Sequence, residues 1–333
     1  MKLKLSILDQ TPVIKGGNAA TALKNSLNLA NMADELGYHS ILYAEHHGVE
    51  AYGSSSPEIL AATVLANTKK IKVGTGGIML RNYSAFKIAE WAKMLALLYP
   101  DRFILGLGKA PGGLKDAVLS LNGHKLPILN NVNEKLEEII AYLKEQSYKG
   151  AELFAQPTHI STLPEVTWLG SGESSAKEAA KFGISYSMAD FIAEGSNTEI
   201  QKMYLEEFNP TGYNNLPSFQ VALSVSVAES LEQARRNAYG MVYQFVESRK
   251  ILAPKALKPS EEVETLINNS EDEELFNALL DKVVIGTPET IHSKLKAKAL
   301  QYGTPDLVLL SNMFNEGDRI FTYKSIIEQR PSD

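Results

Sequence analysis

Ser40-Ile-Leu-Tyr-Ala-Glu-His-His47 is the stretch on which the reading of the fold turns. Ile41 to Ala44 form a short run of apolar or small residues, the pattern of a buried strand. Such a strand carries Glu45, His46 and His47 to its C-terminal end. In barrels of alternating strands and helices, active sites are assembled at that end. The chain holds six histidines, at 39, 46, 47, 124, 159 and 292, so an adjacent pair at a strand mouth marks a place for chemistry. Successive strand residues point to opposite faces. One imidazole is therefore expected to face the mouth while the other packs or caps.

Outward from this strand the periodicity switches repeatedly between short apolar runs and helical stripes. Leu3–Leu8, Ser40–Ala44, Ile71–Leu80 (interrupted by Gly74, Gly76 and Gly77), Phe103–Gly108, Val166–Gly170, Ile184–Met188, Phe219–Val227 and Leu307–Leu310 read as strands. Between them lie helical patterns: Leu23 to Leu36 with Gly37 as its stop, Pro57 to Asn67, Ile88 to Leu98, Val132 to Leu143, Ala176 to Phe182, Asn197 to Phe208, a long helix through Tyr243, and one from Pro288 through Leu300. Eight such units predict an α/β fold, a (β/α)8 TIM barrel spanning residues 1–333 as one domain. A doubly wound open sheet rarely uses eight units this regular. Residues 114–130 and 250–285 read as insertions, and the second, with its acidic helical stretch Ser260–Asp281, is long enough for a lid.

Composition narrows the function classes. A net charge of -6 argues against nucleic-acid and anionic-membrane partners, which want a basic face. With no cysteine the chain has no disulfide, thiolate metal site or cysteine nucleophile, as suits the cytosol. MKLKLSILDQ leads into a strand without a signal-peptide core, and no apolar stretch approaches the roughly 18 residues of a membrane span. A cytoplasmic protein is expected.

Four groups fall at strand ends. Glu45-His46-His47 offers a general base or polar anchor, or a structural His–Glu pair. Gly74-Thr-Gly76-Gly77 suits close approach of a flat ligand, or a bend at the barrel rim. Gly106-Leu-Gly108-Lys109-Ala-Pro-Gly112-Gly113 joins backbone N–H groups to one cation, as a phosphate requires, though it has neither the Walker nor the dinucleotide spacing. Gly170-Ser171-Gly172-Glu173-Ser174-Ser175 precedes a helix and suits an anion; Ser175-Ala-Lys-Glu178 also reads as a capping box. Asp9, Asp190 and Asn312 end further strands, but no His-x-His pair or closely spaced carboxylate set supports a metal, and none is expected.

Taken in order, Leu8-Asp-Gln-Thr-Pro12, Glu35-Leu-Gly-Tyr38, Ala44-Glu-His-His47, Ser55-Ser-Pro-Glu58, Ile71-Lys-Val-Gly-Thr-Gly-Gly-Ile-Met-Leu80, Pro100-Asp-Arg102 and Leu105-Gly-Leu-Gly-Lys-Ala-Pro111 resemble the bacterial luciferase-like flavin monooxygenases, particularly the single-chain relatives of luciferase. The likeness is strongest over residues 1–113. It implies a (β/α)8 barrel binding FMN at the strand mouth, usually as a homodimer. The resemblance further implies that reduced FMN from a separate flavin reductase reacts with O2 and that the flavin peroxide oxidises a small organic substrate. His46 falls on the family's catalytic histidine, and Gly76-Gly77 on a non-proline cis peptide beneath the flavin. Lys109 takes the place of a phosphate-binding arginine, with Ser171 and Gly172 at the second phosphate contact. Lysine at 109 keeps the charge and loses the planar fork. Arg81-Asn82 stands where the subgroup often has Pro-His, and Arg81 adds a second cation. The rival readings are a deazaflavin-dependent hydride-transfer oxidoreductase, a non-catalytic flavin-binding protein and, on the strand-end acids, a metal hydrolase.

Overall fold

The computed structural model describes residues 1–126, 131–193, 198–250 and 253–328. The chain opens with β1 (Lys4–Asp9), α1 (Ala19–Leu36), β2 (Ser40–Tyr43) and α2 (Pro57–Asn67). Asn18 starts α1 by accepting the Thr21 N–H, and Gly37 ends it in the left-handed conformation at φ 78°, which glycine adopts without steric cost. Then come β3 (Lys72–Thr75), β4 (Ile78–Met79), α3 (Ala85–Leu98), β5 (Phe103–Gly108), α4 (Lys115–Leu121) and α5 (Val132–Leu143). The second half runs β6 (Glu165–Gly170), α6 (Glu173–Phe182), β7 (Ser185–Ala189), α7 (Ile200–Glu207), β8 (Phe219–Val227), α8 (Leu231–Asn237) and α9 (Tyr239–Arg249). It ends with α10 (Ser260–Ile267), α11 (Glu273–Leu280), β9 (Val284–Gly286), α12 (Pro288–Gln301), β10 (Asp306–Leu310) and α13 (Glu316–Glu328).

Parallel pairing runs β10-β1-β2-β3-β5-β6-β7-β8 and closes from β8 back to β10, the eight-stranded barrel expected from the sequence. The register aligns Leu8 with Leu42 and Leu307 with Val221. Strand alternation then sorts the core into two layers. Ile7, Ile41, Tyr43, Leu105, Leu223 and Leu309 face the helical ring. Leu8, Leu42, Ile104, Ala222, Val308 and Leu310 fill the interior. A buried ion pair fastens the last helix to the first strand: Arg319 Nη2 donates to Asp9 Oδ1 at 2.7 Å, and its Nε donates to the Ser311 carbonyl at 2.9 Å.

Several expectations change in detail. Ile71–Leu80 is two strands, because the chain leaves β3 at Gly76-Gly77 and re-pairs as β4 with Leu107 and Gly108. The helix through Tyr243 divides at Ala238, where an i→i+3 bond to the Arg235 carbonyl tightens the chain, and its second half reaches Arg249. Asn197, the expected start of α7, lies outside the described residues. So do 127–130 of the first insertion, which otherwise contains α4. The second insertion departs furthest. Its acidic stretch is two helices separated at Asn269, whose φ is 58°. Val263, Ile267, Phe276, Leu279 and Leu280 bury their apolar stripes with Met241, Val242 and Phe245 of α9. Among the described residues none from 253 to 285 lines the cavity at the barrel mouth, so a packed helical pair stands where a lid was expected. The short β9 extends β8 at Val225–Val227, outside the closed barrel. Among the described residues no helix is long and apolar enough to cross a membrane.

Candidate active site

A cavity of about 430 Å³ opens at the strand mouth. Leu8, Leu42, Ala222 and Val308, from four strands, make its apolar floor, and Phe191 and Ile192 form a wall beyond β7. Gly76 and Gly77 lie against this floor, and their peptide is cis. A Cβ added at Gly76 would come within 2.9 Å of Leu42 Cβ and Leu8 Cδ1, and one at Gly77 within 2.8 Å of Leu169 Cδ1 and 2.9 Å of the Gly106 carbonyl oxygen. These glycines therefore present bare backbone where any side chain would intrude.

The polar end is built from β5 and β6. Their pairing sets Gly108 beside Leu169, so Lys109 emerges next to Gly170, Ser171 and Ser175, all of which line the cavity. Gly172 is the N-cap of α6 and gives no side-chain cap, leaving first-turn N–H groups for an anion. Tyr186 holds this turn by donating to the Gly172 carbonyl at 3.1 Å. The expected capping box is absent: α6 begins two residues before Ser175, which is buried. Glu178 turns instead to Lys109, whose Nζ lies 3.1 and 3.0 Å from its two carboxylate oxygens. It also accepts from Trp168 Nε1 at 3.1 Å. The cation read as a phosphate anchor thus already has an acid partner.

Glu45, His46 and His47 lie beyond the end of β2 at Tyr43, and the expectation that one imidazole faces the mouth is not met. Glu45 Oε2 accepts the Met79 N–H at 3.2 Å. Its Oε1 lies 2.8 Å from His47 Nε2 and accepts the Tyr83 hydroxyl at 3.0 Å. Burial and Glu45 push the Tyr83 phenol up, so it remains a donor. His46 instead stacks on Tyr52, with centroids 3.9 Å apart and planes at 24°. Burial, with a lesser contribution from His47, holds its pKa down to about 4. Its Nδ1 is buried without a partner among the described residues. Neither imidazole lines the cavity.

The other polar residues at strand ends serve the scaffold: Asp190 accepts from Tyr302 at 2.6 Å, and Asn312 donates to Gln10 at 2.7 Å. No group of three His, Asp or Glu among the described residues is placed to hold a metal. Sequence reasoning missed Glu178 as the partner of Lys109, Tyr83 as the third member of the Glu45–His47 cluster, and the Phe191–Ile192 wall. Tyr83 lies 38 residues from Glu45, and no local pattern joins them.

A closed parallel barrel with a glycine-floored cavity at its strand mouth defines the class of (β/α)8 proteins whose sites lie at the strand ends. Residues 1–304 match the family model for luciferase-like monooxygenase, and the chain belongs to that family. Over 330 residues it is 33% identical to the uncharacterized protein YceB of Bacillus subtilis, covering 98% of this chain and 99% of that one. The N-acetyl-S-alkylcysteine monooxygenase of the same organism is 31% identical over 334 residues, covering 97% and 96%. The solved structure of apo-MsnO8 superposes with a TM-score of 0.89 at 30% identity, covering 98% of both chains.

Proposed function

We propose that this protein is a monooxygenase that binds FMN at the barrel mouth and uses it, reduced, with O2 to oxidise a small organic substrate. One observation carries the reading: a side-chain-free glycine floor lies in the same apolar cavity as a cation and an uncapped helix N-terminus. A flat ring with an anionic tail has that division of chemistry. Gly76 and Gly77 would meet the ring, and Lys109, Ser171 and Gly172 the phosphate. FMN supplies the oxygen-transfer chemistry when bound; the protein positions it and keeps water from it.

The chain's own residues then have distinct roles. The Glu45–His47–Tyr83 cluster ties the segment after β2 to β4 and to the turn that follows it, which holds the glycine floor in register. His46 is the proposed catalytic histidine; stacked on Tyr52 outside the cavity lining and neutral at pH 7, it carries no charge to the site and is a weaker base than an ordinary imidazole. Dimer formation, a separate flavin reductase and a cytoplasmic setting belong to the same reading.

Anaerobic titration with FMN, reduced FMN, riboflavin and a deazaflavin cofactor, followed by an oxygen pulse, tests it. FMN or reduced FMN should bind more tightly than riboflavin, and the reduced complex should consume O2. Preference for the deazaflavin, with no oxygen uptake, would transfer the protein to hydride chemistry. Tight binding of oxidised FMN with no reaction of its reduced complex would point to flavin storage.

A further inference from the structure

We infer that Arg81 is the anchor for an anionic substrate, so that the cavity takes an organic acid: a carboxylate borne on an apolar body. This rests on the FMN reading for the identity of the reaction, and on its own geometry for the anion. Two cations, Lys109 and Arg81, line the cavity. They come from adjacent strand ends, since Met79 pairs with Gly108 and each cation follows within two residues. Their electrostatic situations differ. Lys109 is held by both oxygens of Glu178 beside the α6 N-terminus. Arg81 has no acid partner among the described residues, and its buried Nε has no hydrogen-bond partner there.

A guanidinium facing an apolar cavity without a counter-charge is costly unless an anion completes it. The nearby carboxylate is not available. Glu45 is taken up by the Met79 N–H, His47 and Tyr83. Lys135, with Glu138 as its own acid neighbour, donates its Nζ to the carbonyls of Leu80, Arg81 and Tyr83 at 3.3, 3.0 and 2.7 Å.

That same ammonium clamps the turn carrying Arg81. Asn82 clamps it from the other side, donating to the Pro111 carbonyl at 2.9 Å and accepting from Asn122 at 3.1 Å. The guanidinium is therefore presented from a fixed backbone, which suits recognition of a planar carboxylate by its fork. FMN carries one phosphate, and Lys109 with the α6 N-terminus forms a separate anion end. Arg81 belongs to the turn beyond β4, four residues past the glycine floor, and is left for the second ligand.

Calorimetry with octanoate and octanamide, in the presence and absence of FMN, tests the anchor on wild type, R81Q and R81K. These probes share an apolar chain and differ in charge. Wild type should bind octanoate about tenfold more tightly than octanamide; R81Q should bring the two together, and R81K should restore part of the gap. Affinities for FMN and reduced FMN should stay within about threefold throughout. Equal binding of the two probes by wild type overturns the proposal without any variant. So does an R81Q protein that keeps the octanoate preference but loses reduced FMN, since Arg81 would then serve the flavin. If neither oxidised nor reduced FMN binds while the Arg81-dependent preference persists, the flavin reading fails and the anion anchor stands.

Discussion

Replacing Glu178 with Gln should tighten FMN binding. Lys109 Nζ lies 3.0 and 3.1 Å from the two Glu178 oxygens, and their side chains are 35% and 18% exposed. A partly exposed pair of this kind contributes up to about 1 kcal/mol. A phosphate that takes Lys109 must forgo that interaction and also lie near the carboxylate left behind. Gln keeps an acceptor for Trp168 Nε1 and removes only the charge. Releasing about 1 kcal/mol corresponds to about fivefold in affinity, and relief of the repulsion raises this toward tenfold. Flavin-fluorescence titrations of wild type and E178Q would measure it, with riboflavin as the control because it lacks the phosphate. Riboflavin affinity should not change, and the FMN gain should shrink in 1 M salt, where the screening length falls to about 3 Å. An E178Q protein that folds normally, yet binds FMN no more tightly than wild type, would refute Lys109 as the phosphate cation.

Gly77→Ala should abolish flavin binding and lower stability by about 1–3 kcal/mol, because its Cβ would press on the Gly106 carbonyl and Leu169; flavin titration and urea unfolding measure the two effects. Arg319→Leu should cost about 3–5 kcal/mol by leaving Asp9 buried without its cation, read as a fall in the unfolding midpoint. Asp9→Asn with Arg319→Leu should recover part of that loss. His46, with its native pKa held down to about 4, gives a stability change on the acid side. Between the ordinary value of 6.5 and that native value, the unfolded chain binds a proton that the folded chain refuses, so stability falls as the pH falls through this window. His39, also held down to about 4 by burial and by Lys4 and Lys72, adds to the same slope. H46Q should therefore flatten, without abolishing, the acid limb of a stability–pH curve. An imidazole NMR signal of His46 titrating near 6.5 would contradict the burial argument.

The barrel was legible because its signal is local. Ile41–Ala44 and Phe103–Gly108 are apolar runs of strand length, and Gly37 stops α1 in the conformation its residue type favours. Strand ends were legible too, so Lys109, Gly76-Gly77 and the Gly170–Ser175 turn were read as neighbours before any pairing was known. The partners at those ends were less so. Glu178 fits a local capping-box pattern that the fold does not form, and only the β5–β6 register brings it to a lysine 69 residues earlier. The 250–285 segment carries the same lesson in packing: its amphipathic stripes predict helices, but whether they cover a site or bury against α9 depends on where β8 delivers the chain.

This difference between position and pairing also explains why the two cations cannot be assigned by charge alone. In sequence Lys109 and Arg81 are equivalent, each the first basic residue after a strand end. In the folded protein one is held by both oxygens of a single carboxylate and the other has no acid partner among the described residues. A site that neutralises one cation in advance binds an anion there by exchange, with modest gain. A site that leaves the other uncompensated gains the full charge interaction on binding. E178Q and R81Q should therefore move in opposite directions: the first strengthens binding of the phosphate-bearing ligand, the second weakens binding of the carboxylate. If both changes act on the same ligand, E178Q strengthening its binding and R81Q weakening it, the two cations form one anion site, and the division of the cavity into a flavin end and a substrate end is wrong.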